Sequence, residues 1–99
     1  RYYFTFDTVI ANHTEAASLN DALLFPVGTY WKQYNNLNYK TSLYSPDAFH
    51  PSKAGSFFAA LTMFKQLFQN ENLKKLPSKK VKKWVSKETL HNMIKIIDQ

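Results

Sequence analysis

The strongest constraint on the fold is an apolar helical pattern over residues 52–68. Aromatic and aliphatic side chains recur there at helical spacing on one face: Phe57, Leu61, Phe64 and Phe68. Smaller or flexible apolar residues widen that face: Ala59, Ala60, Met63 and Leu67. Pro51 and Ser52 are typical of a helix start. The pattern therefore predicts a largely buried helix, which must pack against other parts of the protein.

Three further helices are predicted, over residues 12–21, 29–36 and 87–98. Each begins close to a Ser, Thr or Asn that can cap it, and the last has an apolar stripe with Glu88 in its first turn. The polar segments that join the helices are predicted to be loops.

Two segments have the composition of strands. Residues 22–28 (ALLFPVG) form a short apolar run, and Pro26 is expected at its end because proline cannot donate to a sheet ladder. Residues 1–6 (RYYFTF) are aromatic and β-prone. The order of helices and strands is typical of the end of an α/β layered protein, in which most of the sheet comes from outside this chain.

The composition excludes several classes of site. The 99 residues are 44% hydrophobic and contain no cysteine, so a core is possible but disulfides and thiolate metal sites are not. Three histidines without cysteine are a poor set of metal ligands, and no cofactor is predicted. No apolar run approaches the roughly 18 residues of a membrane span. The compartment stays open, with a secreted or periplasmic location favoured.

The net charge of +6 is concentrated near the C-terminus. Residues 1–70 have five basic and four acidic side chains, whereas residues 71–99 have eight lysines against three acidic residues. A solvated linker that leads to a docking helix explains this asymmetry. The alternative function is a small basic module that binds an anionic polymer through these lysines. No nucleic-acid partner is expected, because no known nucleic-acid-binding module is present and Pro77 interrupts the basic segment.

The segment SPDAFHPS contains a candidate catalytic pair. Asp47 and His50 are three residues apart, so in a tight loop the carboxylate could hold Nδ1 of the imidazole and leave Nε2 for a nucleophile. The same letters are also ordinary turn and capping residues. Spacing alone leaves both interpretations open.

The block SLYSPDAFHPSKAGSFFAAL (residues 42–61) resembles the last conserved block of the SGNH (GDSL-type) esterases and hydrolases. In that family an Asp is followed after two residues by His-Pro-Ser and then by a Gly and a helix, which places Asp47, His50 and Gly55 in register. The upstream segment FPVGTYWKQY (residues 25–34) also resembles bacterial members. The resemblance covers roughly residues 12–69.

The resemblance implies a three-layer α/β/α flavodoxin-like fold, of which this chain would be a mostly helical C-terminal part with one or two strands. Residues 1–70 would belong to the hydrolase domain, and residues 71–99 would be a basic linker and a helix that packs on it. His50 would be the general base and Asp47 its orienting partner, acting on a carbohydrate ester or another small ester. The family also has a Gly-Asp-Ser block with the nucleophile and an oxyanion hole completed by a Gly and an Asn; no Gly-Asp-Ser occurs here, and neither Gly28 nor Gly55 stands in such a block. The N-terminal portion of the same hydrolase is therefore the expected partner that carries the nucleophilic serine.

Overall fold

A computed structural model describes residues 6–19 and 24–99. In these two ranges the chain forms five α-helices and one 3₁₀ turn at Leu73–Lys75. The helices are α1 (Phe6–Leu19), α2 (Val27–Asn36), α3 (Lys53–Leu67), α4 (Ser78–Val81) and α5 (Lys87–Ile97). None of the described helices combines the length and apolarity that a membrane crossing requires.

The predicted α/β flavodoxin-like fold is wrong. The described part of the chain is helical and contains no strand, and its extended residues form only an isolated antiparallel bridge between Tyr44 and Pro51. Of the predicted strand 22–28, residues 24–26 have no regular structure and the last two residues lie in α2. Its first two residues, and residues 1–5 of the other predicted strand, lie outside the described ranges.

The chemistry of proline explains why residues 24–28 lead into a helix. Pro26 has no N–H for a sheet ladder, but its φ of −79° is compatible with a helix start. Its carbonyl accepts the Tyr30 N–H at 3.1 Å, and α2 therefore begins at Val27. Thr29, the first residue of the predicted helix 29–36, lies inside α2, which begins two residues earlier. The prediction of a strand over residues 22–28 is therefore wrong for residues 24–28, which are half-buried and lead into α2.

The two most strongly patterned helices are confirmed in their positions. Helix α3 is not largely buried, however, because Met63, Leu67 and Phe68 of its predicted packing face are exposed. Helix α3 begins after Ser52, whose Oγ accepts the Gly55 N–H at 3.0 Å, as expected of a capping serine. Helix α5 begins after Ser86, whose Oγ accepts the Thr89 N–H at 3.1 Å. The helix predicted at 12–21 is shifted, because α1 begins at Phe6 and ends at Leu19.

The core forms where α2, α3 and α5 meet. Tyr34, Phe58 and Met93 contribute one fully buried side chain from each helix, and the Tyr34 and Phe58 rings lie 5.5 Å apart. Burial raises the pKa of Tyr34 to about 12, and the neighbouring Tyr39 adds to this rise. The Tyr34 hydroxyl donates to the Thr41 carbonyl at 2.8 Å. This bond ties the segment after α2 to the core, and with it the loop that carries Asp47 and His50.

The first turn of α3 lies directly against the segment at Leu43. A Cβ atom at Gly55 would collide with the Leu43 carbonyl oxygen and would lie 2.7 Å from Trp31 Cη2. Contacts this short are not tolerated, so only glycine allows the helix to approach so closely. The absence of a side chain at Gly55 therefore permits the close packing of α3 on this segment. Gly28 differs, because a Cβ atom there would meet only the side chain of Ile10, at 3.3 Å.

These two glycines give a matched test of the packing. Gly55→Ala should lower the free energy of unfolding by about 3 kcal/mol, because the Leu43 backbone must move to admit the methyl group. Gly28→Ala should change it by about 1 kcal/mol or less, because the gain in helix propensity offsets the contact with Ile10. Urea unfolding followed by circular dichroism measures both values. Equal effects of the two substitutions would contradict the proposed role of Gly55.

Candidate active site

Asp47 and His50 lie in a loop whose two ends are hydrogen-bonded to each other. The Ser52 N–H donates to the Leu43 carbonyl, and the Ser45 N–H donates to the His50 carbonyl, both at 2.8 Å. The Ser45 hydroxyl adds a bond of 3.0 Å to the Pro51 carbonyl. Because Leu43 is fully buried, this closed loop projects from the core in a defined orientation.

The tip of the loop is a turn that is organised by Asp47. One carboxylate oxygen, Oδ1, accepts the backbone N–H groups of Phe49 and His50, each at 3.0 Å. Ala48 adopts a left-handed conformation with φ of 57°, and its N–H donates to the Ser45 carbonyl at 2.9 Å. Asp commonly forms such side-chain-to-backbone turns. The turn interpretation of this segment is therefore correct as far as Oδ1 is concerned.

The second carboxylate oxygen contacts the imidazole. Asp47 Oδ2 lies 2.6 Å from His50 Nδ1, so the structure brings the two predicted site residues together. The His50 side chain is 70% exposed and that of Asp47 48%. One aspartate thus fixes both the backbone and the ring of the same histidine.

The hydrogen bonds determine the protonation state of the pair. The bond to the His50 side chain, followed by the backbone bonds from Phe49 and His50, lowers the pKa of Asp47 to about 2. Asp47 is therefore ionised near neutral pH and can only accept hydrogen bonds. The hydrogen between the two groups must then reside on Nδ1. In neutral His50 the lone pair consequently lies on Nε2, which is the arrangement of a general base.

The described residues do not supply a nucleophile to Nε2, which makes no hydrogen bond within them. Ser52, the nearest serine after His50 in sequence, uses its hydroxyl to accept from Gly55 and to donate to the Ser42 carbonyl at 2.8 Å. The Ser45 hydroxyl is likewise engaged, with Pro51. The arrangement can abstract a proton from a group brought to Nε2 from outside the described part of the chain.

An open apolar groove of about 450 Å³ lies beside the pair. Its lining includes Trp31, Phe49, Pro51, Ala59 and Met63. The Phe49 ring also packs edge-on against the His50 ring, with centroids 5.0 Å apart. Phe49 was not predicted as a site residue, although its position between Asp47 and His50 could have indicated it. Trp31 packs against Phe58 and also lines this groove.

The pKa of Asp47 provides a direct test of this geometry. A carboxyl-carbon NMR titration should give a midpoint near pH 2 for Asp47. Because the pKa is lowered on folding, the stabilisation from these bonds is complete above about pH 3.8 and is lost as the pH falls through about 2. His50→Ala should raise the midpoint. Phe49→Ala keeps all three donors and should leave it in place; a wild-type midpoint near 3.8 would exclude the described contacts.

Comparisons of the chain with protein-family models, with curated proteins and with solved structures found no match. Its function is therefore inferred from the geometry of Asp47 and His50 and from the chemistry that this geometry permits.

Proposed function

We propose that this chain supplies the general base and its orienting carboxylate to a serine-dependent ester hydrolase of the SGNH type. His50 is the base and Asp47 its orienting partner, and the nucleophilic serine lies outside the 99 residues. The observation that carries the proposal is the 2.6 Å contact between Asp47 Oδ2 and His50 Nδ1, which leaves Nε2 of this exposed side chain without a hydrogen bond to the described residues. A flavodoxin-like fold would have supported the hydrolase proposal, but the structure is helical. The proposal therefore depends on the geometry of Asp47 and His50.

The turn alone does not account for the arrangement. Closing the turn requires only the bonds from Asp47 Oδ1 to the backbone and the pairing of Ser45 with His50. An exposed ring gains little stability from a contact with an exposed carboxylate, because solvent screens the interaction. That contact does, however, fix the tautomer and the direction of the ring, and base catalysis requires both.

The proposed reaction is hydrolysis of a carboxylic ester in two steps. Nε2 of His50 accepts the serine hydroxyl proton while the serine oxygen attacks the carbonyl carbon, and the resulting tetrahedral intermediate expels the alcohol, which receives that proton from Nε2. Water then attacks the acyl-serine in the same way, releasing the acid and restoring the serine. Asp47 remains ionised throughout and stabilises the imidazolium by its bond to Nδ1. The substrate is a carbohydrate ester or another small acyl ester.

The proposal is tested on the protein as its native cells produce it, captured through a C-terminal epitope tag. A fluorophosphonate probe should label a serine in the captured material, outside residues 1–99. His50→Ala should reduce both labelling and ester turnover about a thousandfold or more, because the base is lost. Asp47→Asn should lower kcat by a similar factor, because the amide cannot replace the charge and can favour the wrong tautomer.

His91→Ala is the matched control. His91 is an exposed histidine on α5, so the same chemical change is made away from the proposed site. This variant should retain wild-type turnover. Wild-type kcat/KM in the His50→Ala variant would remove the enzyme assignment from this chain, as would captured material without any labelled serine.

A further inference from the structure

The lysine-rich segment at residues 73–87 carries positive charge on the surface that no acidic residue of the segment balances. It contains seven lysines and no acidic residue: Lys74, Lys75, Lys79, Lys80, Lys82, Lys83 and Lys87. All seven side chains are exposed. None of them lies within ion-pair distance of a carboxylate in residues 6–19 or 24–99. The segment therefore carries a concentrated positive field that the described structure does not neutralise.

Part of this charge surrounds an apolar groove of about 220 Å³. The groove is lined by three lysines, Lys74, Lys82 and Lys87. It is also lined by the apolar side chains Leu76, Val85 and Leu90. Cavities of roughly 150 Å³ accept a molecule the size of benzene, so this groove has room for an apolar side chain. The combination of cationic and apolar groups in one groove, here called the lysine groove, indicates a ligand that offers carboxylates and apolar side chains together.

We propose that the lysine groove is a docking site for an acidic protein segment, which inserts an apolar side chain between Lys74, Lys82 and Lys87. The carboxylates of that segment would pair with the three ammonium groups, and its apolar side chain would contact Leu76, Val85 and Leu90. Charge complementarity selects the partner, and the apolar lining distinguishes it from a purely anionic polymer. This surface is independent of the proposed hydrolase site.

Two other anionic partners fit the same surface less well. A nucleic acid would use several aromatic platforms for base stacking, but residues 73–87 contain only one aromatic side chain, Trp84. Its half-exposed ring is stacked on Phe57 and has the Lys53 ammonium 5.6 Å from its centroid. A membrane surface would require an amphipathic helix with a free apolar face. Helix α4 has only four residues, and Leu73 and Val81 of this segment are buried in the core.

The test measures fluorescence anisotropy with the full chain and a labelled synthetic peptide of Glu and Ala in which Leu recurs at helical spacing. The peptide should bind with an affinity that falls as salt rises. Polyglutamate of equal charge should bind at least about tenfold more weakly, because it cannot fill the apolar part of the groove. A single-stranded oligonucleotide and phosphatidylglycerol vesicles are measured alongside.

Two double variants with the same change in charge separate the groove from the general field. Lys74→Gln with Lys82→Gln removes two ammonium groups of the groove and should weaken peptide binding about tenfold. Lys79→Gln with Lys83→Gln removes two lysines that do not line the groove and should weaken it about twofold. All four side chains are exposed, so both proteins should fold, and thermal unfolding checks this.

The proposal is overturned if the two double variants lose equal affinity, or if polyglutamate binds as tightly as the Glu/Leu peptide. Tighter binding to the oligonucleotide or to the vesicles than to the peptide would also overturn it and would identify the other class of partner. Absence of peptide binding at low salt would mean that the lysines are only a solvated surface. A larger loss in the groove variant, together with a preference for the Glu/Leu peptide, supports the proposal.

Discussion

The contact between the start of α3 and the backbone at Leu43 is the constraint on which the rest of the structure depends. Gly55 lets the helix touch the Leu43 carbonyl, and Ser52 closes the same junction by capping the helix and bonding to the Ser42 carbonyl. The buried Leu43 side chain at one end and the buried Ala54 and Gly55 just after the other end fix the loop. The ten residues 43–52 thus lead out of the core and back into it at a single point, so the position of His50 is set by packing that lies beneath it.

The two oxygens of the Asp47 carboxylate have different partners, which explains how an exposed loop can orient a histidine. Oδ1 of Asp47 satisfies two backbone donors, and Oδ2 holds the ring. If the aspartate moved to release the ring, it would also break the turn, because both oxygens belong to one planar group. Each contact alone would be weakened by water. Because the rigid carboxylate couples the backbone contacts to the ring contact, the His50 ring has less rotational freedom than the exposure of the two side chains suggests.

Sequence reasoning succeeded where a local pattern and the packing agreed. The periodic apolar residues of α3 and α5, with Ser52 and Ser86 before them, define helices that tertiary contacts reinforce. The prediction of a strand at 22–28 failed because a short apolar run fits a strand and a buried helix start equally well. Only a neighbouring strand to pair with would favour the strand. The spacing of Asp47 and His50 permitted their contact, but it did not separate a capping turn from a catalytic pair. The groove at Trp31 and Phe49 could not be predicted, because it joins residues 18 positions apart through the packing of α2 on α3.

The backbone conformation of Ala48 is a cost in folding free energy of holding the loop in this shape. A residue with a Cβ atom in the left-handed region loses roughly 1 kcal/mol relative to its preferred conformations, and glycine would avoid the loss. Glycine would also give the loop more freedom in the unfolded state and around the turn. The alanine therefore exchanges some stability for a narrower set of loop conformations, a pattern that is common where a backbone holds functional groups. Because the pair is already assembled before any serine reaches Nε2, the proposed hydrolysis would require only the approach of the nucleophile and the ester, with no rearrangement of the base.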